Sequence, residues 1–224
     1  MAADITFAFL HAGRIPREVA QIMVASVKKT MPNARVVQMT DYNTKAILGV
    51  DDVVRKFWDG RQLMPYRFLH MKDFPLGRTI FADYDTVLCR DVGHLFDEEF
   101  DVALTRRDET DRSLADAPEV LREMPYNTGV MLSRESGRGF WEEAHRMCLG
   151  MPDEDRGWWG DQVAIKTLAD TTALRVKELP CALYNYTPVD PGEDLREKFV
   201  LHYKGADRKK EMLEQWGHLL PKRR

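Results

Sequence analysis

The chain is 224 residues long, with 44% hydrophobic and 31% charged residues and a formal net charge of −3. That length and balance suit one well-buried globular domain and exclude a disordered or fibrous chain. The mildly acidic total also disfavours general affinity for nucleic acid or anionic membrane.

Residues 4–10, DITFAFL, read as a buried strand, closed by the turn His11-Ala12-Gly13-Arg14. Pro16 fits the first position of a helix in which Val19, Ile22, Met23 and Val27 recur at helical spacing. ARVVQMT (34–40) is the next strand. Strand, helix and strand at this spacing imply a right-handed crossover and a parallel sheet. A helix over 61–73 carries Leu63, Met64, Phe68 and Met71 on one side; Pro75-Leu76-Gly77 ends it, and TIFA (79–82) enters as a strand.

Further strands are expected at 101–105 and 129–133. Between them, 106–125 is rich in charge and reads as a surface excursion or lid. Helices follow near 138–148 and 160–169, strands near 173–178 and 199–203, and a last helix near 208–218. Residues 208–224 thus make a C-terminal helix and a basic tail, Lys222, Arg223 and Arg224. The expected architecture is a single α/β domain over 1–224, with a mixed, mostly parallel central sheet flanked by helices. Cys89, Cys148 and Cys181 are odd in number and lack metal-ligand spacing, so reduced thiols in a cytoplasmic protein are expected. No basic region precedes a leader-like apolar run, and no stretch approaches the ~18 apolar residues of a transmembrane segment.

Asp83-Tyr84-Asp85 follows the strand TIFA. In an open α/β sheet, ligands bind beyond the carboxyl ends of the strands. Residues i and i+2 of an extended segment point the same way. Two carboxylates facing one place repel unless a cation lies between them, and Mg²⁺ or Mn²⁺ fits. The alternative is a strand-end turn, where aspartates bond their own backbone. The second such triplet, Asp153-Glu154-Asp155, has no strand before it and reads as a solvated loop.

Three further stretches carry polar residues next to predicted elements. YNTGVML (126–132) sets Asn127 before a strand, as a turn residue or as an amide offered to a sugar hydroxyl. GDQ (160–162) places Asp161 and Gln162 at a helix start, where an aspartate is also a good N-cap. In HYKGADR (202–208), His202 offers an imidazole, Gly205 permits close backbone approach to a phosphate, and Arg208 offers a phosphate fork. Trp158-Trp159 suits either sugar stacking or core packing.

These four motifs in this order resemble a GT-A fold nucleotide-sugar glycosyltransferase, most like glycosyltransferase family 8, the glycogenin and bacterial galactosyltransferase type. The segment 66–96 resembles that family's central block, YNTGVML its Phe-Asn-Ser-Gly-Val-Met, GDQ its Asp-Gln pair and HYKGADR its His-X-X-Gly-X-X-Lys. The resemblance implies a metal, Mn²⁺ or Mg²⁺, held by Asp83, Asp85 and His202 against the diphosphate of a nucleotide sugar, a UDP-sugar by the same likeness. Asp83 would also approach the ribose. Gly205 and Arg208 would touch the phosphates and Arg67 the donor sugar or phosphate. Asn127, Asp161 and Gln162 would contact the transferred sugar. The loop Phe9–Gly13, with Phe9 and His11, would line the base. The anomeric configuration would be retained.

The acceptor would be a hydroxyl of a glycan, a lipid-linked sugar or a protein, with nucleic acid disfavoured by the charge. A peripheral membrane contact would fall to the basic C-terminus. Departures from the family pattern are Arg208 for lysine, Thr128 for serine, and Lys209-Lys210 where the family has Pro-Trp. The rival readings are a nucleotidyltransferase, which the single glycine of HAGRIPRE argues against, and a non-catalytic sugar-nucleotide-binding protein.

Overall fold

In the computed structural model, which describes residues 5–108, 118–154, 156, 160–190 and 192–221, strand β1 (Ile5–Leu10) is apolar on both faces. Phe7 and Phe9 enter one apolar layer, while Ala8 and Leu10 enter the other. This is the pattern of a strand covered on both sides. Strand β4 (Arg78–Asp83) repeats it, with Ile80 and Ala82 on the first side and Phe81 on the second.

Helix α1 (Arg17–Thr30) buries Ala20, Met23, Val24 and Val27 in the first layer. Strand β2 (Arg35–Thr40) then pairs parallel to β1, as the crossover rule requires. Strand β3 (Asp52–Arg55) adds to β2, and helix α2 (Leu63–Lys72) covers the second layer. After β4 come the short β5 (Thr86–Leu88), β6 (Val102–Arg106), α3 (Pro118–Glu123), β7 (Tyr126–Ser133) and α4 (Arg138–Gly150). The chain closes with α5 (Gly160–Thr171), β8 (Val176–Pro180), α6 (Cys181–Tyr184), β9 (Val200–His202) and α7 (Ala206–Trp216).

Seven strands form the main sheet in the order β3-β2-β1-β4-β7-β6-β8, and β5 with β9 forms a second, two-stranded sheet. In the main sheet β7 alone runs antiparallel to its neighbours β4 and β6. The carboxyl ends of β1, β2, β3 and β4 therefore share one edge, where the fold rule places ligands. None of the described cysteines is disulfide-bonded. Among the described residues no helix is long and apolar enough to cross a membrane.

Several expectations shift; the strand expected near 173–178 runs from Val176 to Pro180. Strand β7 begins at Tyr126, not 129, so Asn127 and Thr128 lie within it rather than in a turn before it. The pairing with β6 slips between Leu104 and Thr105, a bulge that accommodates the added residues. Strands β3 and β5, of four and three residues, lack a pattern long enough to read. Residues 109–117 of the expected excursion, Trp158-Trp159 and the basic tail 222–224 lie outside the described residues.

Candidate metal centre

Asp83 is the last residue of β4, and Asp85 lies just before β5, so the two carboxylates straddle a tight turn between two sheets. The Thr86 hydroxyl donates to the Asp83 carbonyl at 2.8 Å and pins that turn. The antiparallel register of β5 and β9 sets Thr86 opposite His202. The Tyr203 backbone N–H extends the pairing to the Asp85 carbonyl at 2.9 Å. Pairing of two three-residue strands thus delivers a distant imidazole to the aspartates. His202 Nε2 lies 3.5 Å from an Asp83 oxygen and 3.3 Å from Asp85 Oδ1.

The other imidazole nitrogen fixes the ring. His202 Nδ1 lies 2.8 Å from Asn185 Oδ1. The Asn185 amide nitrogen donates to Thr105 Oγ1 at 2.7 Å and to the Asn127 carbonyl at 3.2 Å. With its nitrogen so engaged, the amide oxygen faces the ring and accepts the Nδ1 proton. Nε2 is the nitrogen left to face the two carboxylates, where it can donate to them or, given a cation, offer it a lone pair. Gly129 makes this approach possible: a Cβ there would stand 2.3 Å from two atoms of the His202 ring.

Two carboxylates that converge in this way repel one another unless a positive charge lies between them. Asp83, Asp85 and His202 can each offer one ligand atom, all within 4.8 Å of one another. Two carboxylate oxygens and one imidazole nitrogen form a donor set that suits Mn²⁺ or Mg²⁺. Burial alone would raise the Asp85 pKa, but the adjacent His202 and Lys209 outweigh it and hold the carboxyl well below the usual range. Lys209 Nζ lies 2.5 Å from Asp85 Oδ2.

Arg67, buried on α2, organises the opposite wall. Its guanidinium lies 3.1 Å from Asp83 Oδ1 and 3.7 Å from Asp161 Oδ2, and it donates to the Thr128 carbonyl. Asp161 is 1% exposed. Burial pushes its carboxyl above the usual range, and Arg67 and the Thr128 hydroxyl pull it back only in part. Both Asp161 oxygens are engaged, Oδ2 by Thr128 Oγ1 at 2.7 Å and Oδ1 by the Gln162 backbone N–H at 2.8 Å.

A cavity of about 380 Å³ opens here, lined by Arg67, Asp83, Asp85, Asn127, Asp161, Gln162, His202, Gly205 and Arg208. Nine of the residues singled out in the sequence therefore share one cavity. Within it, Asn127 Nδ2 and Gln162 Oε1 are buried without a hydrogen-bond partner, a donor and an acceptor held for something else. Gly205 adopts φ +86, the left-handed conformation that favours glycine, and starts α7 without a side-chain cap. Gly205, Arg208 and Lys209, at the start of that helix, line the cavity.

The remaining assignments land elsewhere. Phe9 is fully buried in the core and does not line this cavity. His11 lines a neighbouring, more open cavity with Gly13, Asp41 and Trp58. Arg208 reaches the cavity, but Nε donates to the Pro188 carbonyl at 3.2 Å and Nη1 meets the Lys204 carbonyl at 3.5 Å. Sequence reading missed Asn185, Lys209 and Arg107. Arg107 also lines the cavity, while donating to the Met124 and Tyr126 carbonyls. For Lys209 the departure from the family pattern was the available signal; for Asn185 there was none.

No family profile matches this sequence, and no curated protein matches it. Solved structures do match. The galactosyltransferase LgtC, solved with donor and acceptor sugar analogues, aligns over 97% of this chain and 98% of its own at 11% identity, with a TM-score of 0.65. The glycosyltransferase GlyE of Streptococcus pneumoniae TIGR4 aligns over 96% of this chain and 62% of its own at 15% identity, TM-score 0.63. The bifunctional glycosyltransferase WbbM aligns over 92% and 46%, at 14% identity and TM-score 0.60. The chain thus spans nearly all of LgtC but less than half of WbbM. At these identities the likeness is one of fold, and the fold is that of the GT-A glycosyltransferases.

Proposed function

We propose that this protein transfers a sugar from a nucleoside-diphosphate donor, UDP-linked by resemblance, to an acceptor hydroxyl. A divalent cation would be held by Asp83, Asp85 and His202. The observation that carries this reading is the convergence of those three groups, with Nε2 turned inward, in a cavity at the carboxyl-end edge of the sheet of a GT-A fold.

The difficult step is cleavage of the bond between the anomeric carbon and phosphate oxygen. Positive charge grows on the sugar and negative charge on the departing diphosphate. The bound cation supplies Lewis-acid stabilisation of that negative charge, typically several kcal/mol. The protein's own groups do the rest. Asp83, Asp85 and His202 would hold the cation, and Asn185 and Gly129 position His202. Gly205 at the start of α7 and Arg208 line the cavity and suit a diphosphate.

The unsatisfied amides of Asn127 and Gln162 suit sugar hydroxyls. Asp161 is a poor nucleophile because both its oxygens are engaged and Arg67 shares its charge. We therefore read Asp161 as a positioning group. A retaining transfer on one face of the sugar, with the leaving phosphate accepting the acceptor's proton, needs no protein nucleophile.

The test is thermal denaturation against a panel of nucleoside diphosphates, with Mn²⁺ or with EDTA, followed by donor hydrolysis assays with the sugar conjugates of whichever nucleotide binds. A rise in Tm for uridine diphosphate that increases with Mn²⁺ is expected. Absence of any such rise across the panel in both buffers would overturn the reading. For the donor identified, NMR of the first-formed product anomer then reports retention or inversion.

A further inference from the structure

In the motif that HYKGADR resembles, the residue after the basic one, at the position of Lys209, is a proline. Here it is a lysine whose stem begins in the first turn of α7 and is anchored by the turn at Gly205. Its ammonium lies 2.5 Å from Asp85 Oδ2 and 5.3 Å from the centre of the Tyr84 ring. The side chain is 17% exposed and lines the same cavity as the metal triad. The Asp85 carboxylate is therefore divided, one oxygen facing His202 Nε2 and the other facing the Lys209 ammonium.

Two physical consequences follow. A dication entering beside Asp85 Oδ1 meets a like charge across the same carboxylate, so the free protein binds metal more weakly than the triad alone would. A diphosphate reverses that balance. It brings negative charge against Lys209, whose flexible stem and three donors let it exchange one oxygen acceptor for another without moving the backbone. Asp85 takes one of those donors and the Gly205 carbonyl receives a long contact of 3.4 Å. Arg208, one position earlier, is partly committed to the Pro188 and Lys204 carbonyls and has less freedom to follow an anion.

We propose that Lys209 is a built-in cation of the diphosphate site. It holds Asp85 while the site is free of donor and passes to the phosphate oxygens when a diphosphate binds. The diphosphate is then bound without metal, and metal is recruited by the protein–diphosphate complex rather than by the free protein. This rests on the donor reading above and deepens it, by assigning a role to a residue that departs from the family pattern.

The test uses the whole chain, its Lys209→Met and Lys209→Arg variants, and two calorimetric titrations. The first is inorganic pyrophosphate or uridine diphosphate in EDTA; the second is Mn²⁺ alone, counted independently by the EPR signal of the free ion. Wild type is expected to bind a diphosphate in EDTA. Lys209→Met should weaken that binding on the order of tenfold or more and tighten Mn²⁺ alone by a similar factor, while Lys209→Arg keeps diphosphate binding.

Unchanged diphosphate and Mn²⁺ affinities in Lys209→Met would overturn the proposal. So would weaker Mn²⁺ binding, which would make Lys209 an orienting partner of Asp85. If wild type binds diphosphate only with Mn²⁺, and Lys209→Met does so equally well, Lys209 has no such role and the donor reading stands. If wild type binds no diphosphate in either buffer, the donor reading itself falls.

Discussion

Gly129 and His202 are matched in space: the imidazole occupies the volume that any side chain at 129 would need. A Cβ on Gly129 would lie 2.3 Å from Cε1 and Nδ1 of His202 and 3.0 Å from Asn185 Oδ1. The glycine of YNTGVML is thus required for space, since it lies inside β7 and has no positive φ. Gly129→Ala is expected to push His202 off Asn185 and off the carboxylates. Mn²⁺ affinity in titration should fall on the order of tenfold or more. Overpacking should cost about 1–3 kcal/mol in chemical denaturation. Unchanged Mn²⁺ affinity would show that the ring is not held where it stands.

Asn185 offers the complementary experiment. Its carbonyl accepts the His202 Nδ1 proton, and its amide nitrogen is tied to Thr105 and Asn127. Asn185→Leu removes the group that orients the ring and should lower Mn²⁺ affinity roughly 10–100-fold. Asn185→Asp can still accept from Nδ1 but sets an acceptor against the Asn127 carbonyl, so it should recover only part of the affinity. Equal loss in both variants would mean that Asn185 serves packing alone.

Much of this centre was legible because its residues announce their chemistry locally. Asp83 and Asp85 follow an apolar strand, and Asn127, Asp161 and Gln162 stand beside predicted elements. The convergence of those motifs was not legible from spacing. It depends on β5 and β9, three residues each, whose pairing sets Thr86 opposite His202. Asn185 follows the single-turn helix α6 and looks like any turn asparagine; only the tertiary contact gives it a role. Phe9 illustrates the opposite error. In an alternating strand its neighbour Leu10 faces the cavity while Phe9 faces the core, so a loop assigned as a unit divides between two destinations.

Arg67 bridges Asp83 and the buried Asp161, and its removal has a pH signature. Arg67→Met leaves Asp161 uncompensated and should destabilise the protein by about 3–5 kcal/mol near neutral pH. The sign follows from linkage. Asp161 already has a raised pKa in the folded state, so between the unfolded value and the folded one the native state holds a proton that the unfolded chain has lost. Stability therefore falls as pH rises through that window. Without Arg67 the window widens upward, and the deficit against wild type should grow from acid toward neutral pH. A pH-independent deficit in denaturation curves would rule out this electrostatic account.

Asp41 has the opposite dependence. It ties the loop after β2 to the loop after β1. Burial opposes its charge, but the Thr44 hydroxyl and the backbone N–H groups of Asn43, Thr44 and Gly13 pull its pKa from 3.8 down to about 2. Because the folded pKa is the lower one, the stabilisation is complete above the unfolded value and disappears as pH falls through about 2. Its size is about 2 kcal/mol. Urea denaturation between pH 6 and pH 2 should show wild type converging on Asp41→Asn at the acid end. Parallel curves would contradict the assignment.

The account depends most on the cation held by Asp83, Asp85 and His202, and the direct measurement is turnover by Asp85→Asn. Release of nucleoside diphosphate from the donor identified by the thermal panel should be compared with wild type in metal-replete buffer. Circular dichroism should verify that the fold is kept. A loss on the order of two to four decades in rate is expected, with the melting curve little changed. Transfer at close to the wild-type rate would contradict the metal role on which the proposed chemistry rests.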